Sequence, residues 1–160
     1  QLLKLIIPKP KFIILYRPVL ECLASFVRIT NFKNNEILCE QLLSRDNNFG
    51  KSLWSVQNII SNKEDYIIIK YNDFVSNPNV EIEKIFNFLK IPFKTLKTSN
   101  INKFLINNVR YNDDVFGIPL HDIRTNKIEK NSYKIEDYLS NKIIEKYSEA
   151  DKIILQHEYK

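Results

Sequence analysis

The chain has 160 residues, 44% hydrophobic and 27% charged, which is enough to bury a real core and outside the range of a disordered tail. Its formal net charge is +5, but the basic residues alternate with acidic ones and form no Lys/Arg run, which argues against a nucleic-acid arm. Two glycines are fewer than an intact phosphate-loop domain usually carries.

The chain has no methionine and opens at Gln1, within what reads as a helix end, so it is expected to be a partial domain spanning residues 1–160 without its native beginning. No stretch has the length and apolarity of a membrane span or a signal peptide. Cys22 and Cys39 are far apart and form no CxxC. They read as reduced thiols, and the expected setting is cytoplasmic.

Pro8-Lys9-Pro10 breaks the first segment. The apolar run Phe12 to Tyr16 is too short for a helix and reads as a strand buried on both faces. Arg17 stands at its carboxyl end. Pro18 suits the first position of a helix, along which Leu20, Leu23, Ala24 and Val27 form an apolar face and Glu21, Ser25 and Arg28 the opposite one. Asn34-Asn35 can cap a second helix bearing Ile37, Leu38, Gln41 and Leu42. Residues 46–50 read as a turn before a helix over 51–60.

Tyr66 to Tyr71 reads as a second buried strand, parallel to the first because helices separate the two. Asn72-Asp73-Phe74 closes it, with Asp73 better suited to a turn cap than to acid catalysis. Asn77-Pro78 opens a helix whose apolar face is Ile82, Ile85, Phe86 and Leu89, and Pro92 ends it. The pattern weakens over 93–112, and 117–125 reads as an irregular loop. A last helix is expected over 140–156, with Ile143, Ile144, Tyr147 and Ile154 inward. No repeat or internal boundary is visible.

Chemistry concentrates at Arg17. A guanidinium at a strand's carboxyl end can bind a phosphate bidentately, and ligands of open α/β sheets gather at that edge. The Ser25 hydroxyl and free N–H groups at the helix start would add donors. An ion pair between Arg17 and Glu21, with Ser25 facing solvent, fits the same spacing. Trp54, with Gln57 and Asn58, reads better as core than as a pocket wall. Cys22, Cys39, His121 and His157 have no metal-ligand spacing, so no metal is expected. There is no Gly-x-Ser-x-Gly elbow for a serine triad, and His121 beside Asp122 is weak evidence for a general base.

Lys11-Phe-Ile-Ile-Leu-Tyr-Arg-Pro-Val-Leu-Glu-Cys-Leu-Ala-Ser25 resembles the 3′-phosphate-binding segment of sulfotransferases that use 3′-phosphoadenosine-5′-phosphosulfate (PAPS). There, an apolar strand ends in Arg, and a helix carries Ser eight residues on. Here Pro18 follows Arg17 directly, without the usual intervening Asn or Asp. A second segment, Ile67 to Pro92, is similar to the family's Tyr-Glu-Asp-Leu segment and its Asn/Asp-Pro helix ending in Phe-Leu-Gly/Asn, with Asn72 in place of Glu.

The resemblance implies an α/β, P-loop NTPase-like three-layer fold with a parallel sheet flanked by helices, its N-terminal part missing. It implies a sulfotransferase with PAPS as donor, no metal, and a small-molecule or glycan acceptor presenting a hydroxyl or amine. Arg17 and Ser25 would hold the 3′-phosphate and Tyr71 would border the adenine. Arg124, with Lys127 or Lys130, would stand in for the Arg-Lys-Gly loop that closes on the same phosphate. No segment matches the family's 5′-phosphosulfate loop, so this chain alone is expected to be inactive and its catalytic residues stay unassigned. A P-loop nucleotide or metabolite kinase, or a non-catalytic anion- or glycan-binding module, would share an arginine at a strand edge.

Overall fold

The computed structural model describes residues 6–30, 35–99, 105–106, 109–110, 128 and 133–155. The chain divides into two compact units, one formed by Gln1–Tyr71 with Asn131–Lys160 and the other by Asn72–Lys130.

In the first unit, β1 (Lys11–Tyr16) pairs in parallel with β2 (Asp65–Lys70), in a register running from Lys11↔Asp65 to Tyr16↔Lys70. The crossover consists of α1 (Val19–Thr30), α2 (Asn35–Leu43) and α3 (Asn48–Ser61). The structure is therefore α/β, with a small parallel sheet flanked by helices, compatible with the P-loop-like class expected from the sequence. Its core has two centres. Val19, Leu23, Ala24 and Val27 of α1 pack with Cys39, Leu42, Leu139 and Ile143. Ile14 and Tyr16 of β1 pack with Ile60 and Ile154.

The two strands differ in burial. β1 was expected to be covered on both faces, yet Ile13 is 46% and Leu15 63% exposed. The pleat sends Ile14 and Tyr16 to the helix-covered face and its neighbours to the open one. In β2, Ile69 is buried and Ile67 half-buried. The strand ends at Lys70, and Tyr71 opens a short helix, α4 (Tyr71–Ser76), so 72–74 is helical where a strand end was expected.

Two boundaries and one helix face depart from what the hydrophobic pattern carries. α3 starts inside the expected turn because Asn47 Oδ1 accepts the Phe49 N–H at 3.0 Å. Gly50, in its first turn, lies so close to the preceding segment that a Cβ would sit 2.0 Å from the Ser44 carbonyl oxygen. Ile37 of α2, expected to face inward, is 48% exposed, and Cys39 and Leu42 are buried instead. The expected last helix is two helices, α6 (Asn141–Tyr147) and α7 (Lys152–Leu155). The break between them turns the Asp151 carboxylate inward, where it is 8% exposed.

In the second unit, α5 (Pro78–Leu89) follows Asn77, with Pro78 at its first position. Ile82 is buried, and Phe86 meets Phe93 edge-on at 5.7 Å. The helix ends when Lys90 turns left-handed (φ 58°, ψ 40°). β3 (Leu105–Ile106) and β4 (Val109–Arg110) pair antiparallel. Among the described residues no helix is long and apolar enough to cross a membrane.

Candidate anion-binding site

The site is built where β1 hands over to α1. Pro18 allows the turn without leaving an N–H unpaired, and its carbonyl accepts the Cys22 N–H at 3.0 Å. The first N–H of α1 is not free. Val19 donates to both carboxylate oxygens of Asp151, at 3.1 and 3.0 Å. The expected contribution of open backbone donors at this helix start is thus corrected at Val19: a carboxylate of the chain itself already complements the dipole there. Burial pushes the Asp151 carboxyl above its ordinary value, while the hydrogen bonds from the Val19 N–H favour the ionised form.

Arg17 is held on one edge. Its Nε donates to Glu21 Oε2 at 3.3 Å, and its Nη2 donates to the Tyr133 hydroxyl at 2.5 Å. Tyr133 in turn donates to the Glu21 carbonyl at 3.0 Å. The ion pair with Glu21 weighed from sequence is therefore present. It engages only the side-on fork of the guanidinium; the end-on fork, Nη1 and the outer hydrogen of Nη2, makes no hydrogen bond to a described residue. The guanidinium lies over the Tyr71 ring, 4.7 Å from its centroid. Burial works against its charge, but Tyr133, Glu21, Cys22 and Tyr71 outweigh burial and raise its pKa, so Arg17 stays charged.

Ser25 is half-buried one turn beyond Glu21 on the same helix face, and its hydroxyl makes no hydrogen bond to a described residue. One turn further, Arg28 places its guanidinium 5.1 Å from the centroid of Tyr133. Tyr133 also lies 5.9 Å from the Arg17 guanidinium. One ring thus faces two cations, each within the range of an attractive cation–π contact. The structure brings Arg17 and Tyr71 together and sets Ser25 on the helix face adjoining Glu21.

Arg124, Lys127 and Lys130 lie outside the described residues, as does His121. Trp54, read as core, is corrected: it is 47% exposed, with Arg45 stacked on it at 5.5 Å. Its position on the outer side of α3 leaves its indole to an arginine instead of the core. Cys22 is no nucleophile in waiting, since burial pushes its thiol up to about 11 and its Sγ–H points to the Arg17 carbonyl at 3.7 Å. Among the described residues no three His, Cys, Asp or Glu side chains gather as metal ligands would.

Sequence reasoning put Arg28 on the right face but gave it no role. It missed Tyr133, which lies in a stretch without periodicity and meets Arg17 only through the fold.

In comparisons with known proteins, the profile of the sulfotransferase family matches residues 1–95. That span covers β1, α1, β2 and α5, and ends beyond Lys90. No curated protein and no solved structure matches the chain.

Proposed function

We propose that this chain, which belongs to the sulfotransferase family, forms the nucleotide-holding half of a site for PAPS and serves sulfuryl transfer to a hydroxyl or amine of a small-molecule or glycan acceptor. Sulfuryl transfer is the reaction of the family as a whole; the donor, the acceptor class and the residue roles are our reading. In it, the end-on fork of Arg17 and the hydroxyl of Ser25 take the 3′-phosphate. The Tyr71 ring, already packed beneath Arg17, borders the adenine. Arg124, Lys127 and Lys130 close over the same phosphate. A cytoplasmic setting belongs to the proposal as well, and Cys22 and Cys39 are both free thiols.

One observation carries the reading. Arg17 and Tyr71, far apart in sequence, stand just beyond the carboxyl ends of adjacent parallel strands and touch at 4.7 Å. Each comes from a segment with its own likeness to the family. That edge of a parallel sheet is where nucleotide phosphates bind, and a fork-shaped guanidinium matches phosphate geometry.

PAPS brings the activated sulfuryl group. This chain's residues bind and orient its 3′-phosphate, and the Glu21 and Tyr133 contacts fix the fork before the nucleotide arrives, which reduces the ordering cost of binding. The reacting sulfur would be attacked in line by the acceptor, a base removing the acceptor's proton while the bond from sulfur to the 5′-phosphate oxygen breaks and adenosine 3′,5′-bisphosphate leaves.

Calorimetric titration of the full-length protein with adenosine 3′,5′-bisphosphate is the test. Arg17→Ala is expected to weaken binding by about 1–3 kcal/mol, the scale of charged hydrogen bonds. Unchanged affinity would remove Arg17 from the site. A thermal shift with ATP and Mg²⁺ but none with the bisphosphate would move the protein to a kinase-like class.

A further inference from the structure

The ion pair that orients Arg17 also leaves a charge to be accounted for. A phosphate monoester carries about −1.5 to −2 charges near pH 7. Arg17 reaches such a ligand with its positive charge already opposed by Glu21 at 3.3 Å. It contributes fork geometry, but little net positive charge. Asp151 adds further negative charge at the start of the same helix. Among the described residues, Arg17 and Ser25 would therefore offer a dianion little net positive charge, the charges of Arg124, Lys127 and Lys130 coming from outside them.

Arg28 can add to that charge from within α1. It lies on the Glu21–Ser25 face of α1, and side chains of a helix lean toward its N-terminus, which directs Arg28 back over Ser25. Its guanidinium is packed on Tyr133, the ring that also faces Arg17. No carboxylate among the described residues pairs with it. A cation in the last turn of a helix is favoured by the dipole, but the dipole does not account for a guanidinium laid on the ring that anchors Arg17.

We propose that Arg28 is a direct ligand of the 3′-phosphate, adding positive charge from α1 itself beside Arg17, whose own charge is opposed by Glu21, with Ser25 between the two on the helix face. The assignment rests on the PAPS reading above and adds a residue to it. It makes the site selective for a phosphate monoester dianion over a nucleotide without a 3′-phosphate.

The test is calorimetric titration of the full-length protein with adenosine 3′,5′-bisphosphate and, separately, adenosine 5′-monophosphate. Arg28→Gln is expected to raise Kd for the bisphosphate about tenfold, a typical loss for one charged hydrogen bond, and to leave the 5′-monophosphate within about twofold. Arg28→Lys, which keeps the charge without the fork, falls between wild type and Arg28→Gln. If Arg17→Ala weakens the bisphosphate and Arg28→Gln does not, this inference falls and the PAPS reading stands. Equal weakening of both nucleotides also overturns it, since Arg28 would then act as a general surface charge. If wild type binds the two nucleotides alike, the PAPS reading falls and this inference with it. Arg28 is exposed, and unchanged circular dichroism of Arg28→Gln separates a binding loss from a folding loss.

Discussion

Helices α1 and α5 begin alike in sequence and are secured in different ways. Pro78 is the first residue of α5, whereas Pro18, expected at that position of α1, stands just before it, and both helices carry an apolar face at helical spacing. α1 is fixed from a distance: the Val19 N–H is taken by Asp151, 132 residues later in the chain. α5 is fixed by its own neighbourhood, with Asn77 before it, Pro78 at its first position and left-handed Lys90 after it. Asn77 does this without a side-chain cap bond. The helix that carries Ser25 and Arg28 is thus the one whose start depends on the tertiary fold. Its position relative to β1 is set by a contact that local sequence does not encode, so the geometry of the candidate site depends on the packing of the C-terminal segment.

The largest expected effect tests that dependence. Asp151→Ala leaves a buried N–H without an acceptor and is expected to destabilise the protein by about 1–3 kcal/mol, read by thermal or urea unfolding. Amide exchange should accelerate at the start of α1 and leave α5 unchanged. Equal acceleration in both helices would break the contrast. The pH dependence has a definite sign. Burial raises the Asp151 pKa above 3.8, so the folded protein keeps this proton where the unfolded chain has lost it. Stability from this group therefore falls as pH rises from 3.8 through the folded value, and is constant above it. Asp151→Asn removes the titration, so the stability of wild type relative to this variant should decline across that window. A rise would mean that the hydrogen bonds from Val19 outweigh burial.

The same contrast explains which parts of the fold were legible. Parallel pairing of β1 and β2 followed from two apolar runs separated by helical spacing, and the pairing is observed. The faces of α1 and α5 followed from periodicity, and Leu23, Val27 and Ile82 are buried as expected. Both depend on residues near one another in the chain. Asp151 was hidden because a break at 148–151 interrupts what reads as one amphipathic helix, and no local pattern shows which N–H a carboxylate will meet. Tyr133 was hidden for the same reason. The exposed face of β1 was missed because an apolar run gives the same signal whether one face is covered or two. Arg17 and Ser25 were singled out by strand-edge chemistry and Tyr71 through family likeness, and the contact of Arg17 with Tyr71 gives two of them a shared location.

A smaller effect of opposite sign is expected at the other end of α5. Lys90 occupies a left-handed conformation (φ 58°), which Gly or Asn adopts at a helix end far more readily than other residues. A side chain there meets a steric cost that glycine escapes. Lys90→Gly is expected to stabilise the protein by about 0.5–1 kcal/mol, read as a higher urea midpoint at unchanged slope. Loss of stability would mean that contacts of the Lys90 side chain outweigh the backbone strain, and that α5 is not secured by local geometry alone.

The smallest effect separates the position of a cap from its chemistry. An asparagine that caps through its side chain loses about 1 kcal/mol on replacement by alanine. Asn47 is such a residue, with Oδ1 on the Phe49 N–H at 3.0 Å, and Asn47→Ala should cost that much. Asn77 holds the equivalent position at α5 with no such bond, so Asn77→Ala should change stability by less than about 0.5 kcal/mol. Pro78 then accounts for the helix start, because its fixed φ orders the first turn and it has no N–H to satisfy. If Asn77→Ala costs as much as Asn47→Ala, Asn77 caps α5 in solution through its side chain, and the two prolines do not play equal parts in starting α1 and α5.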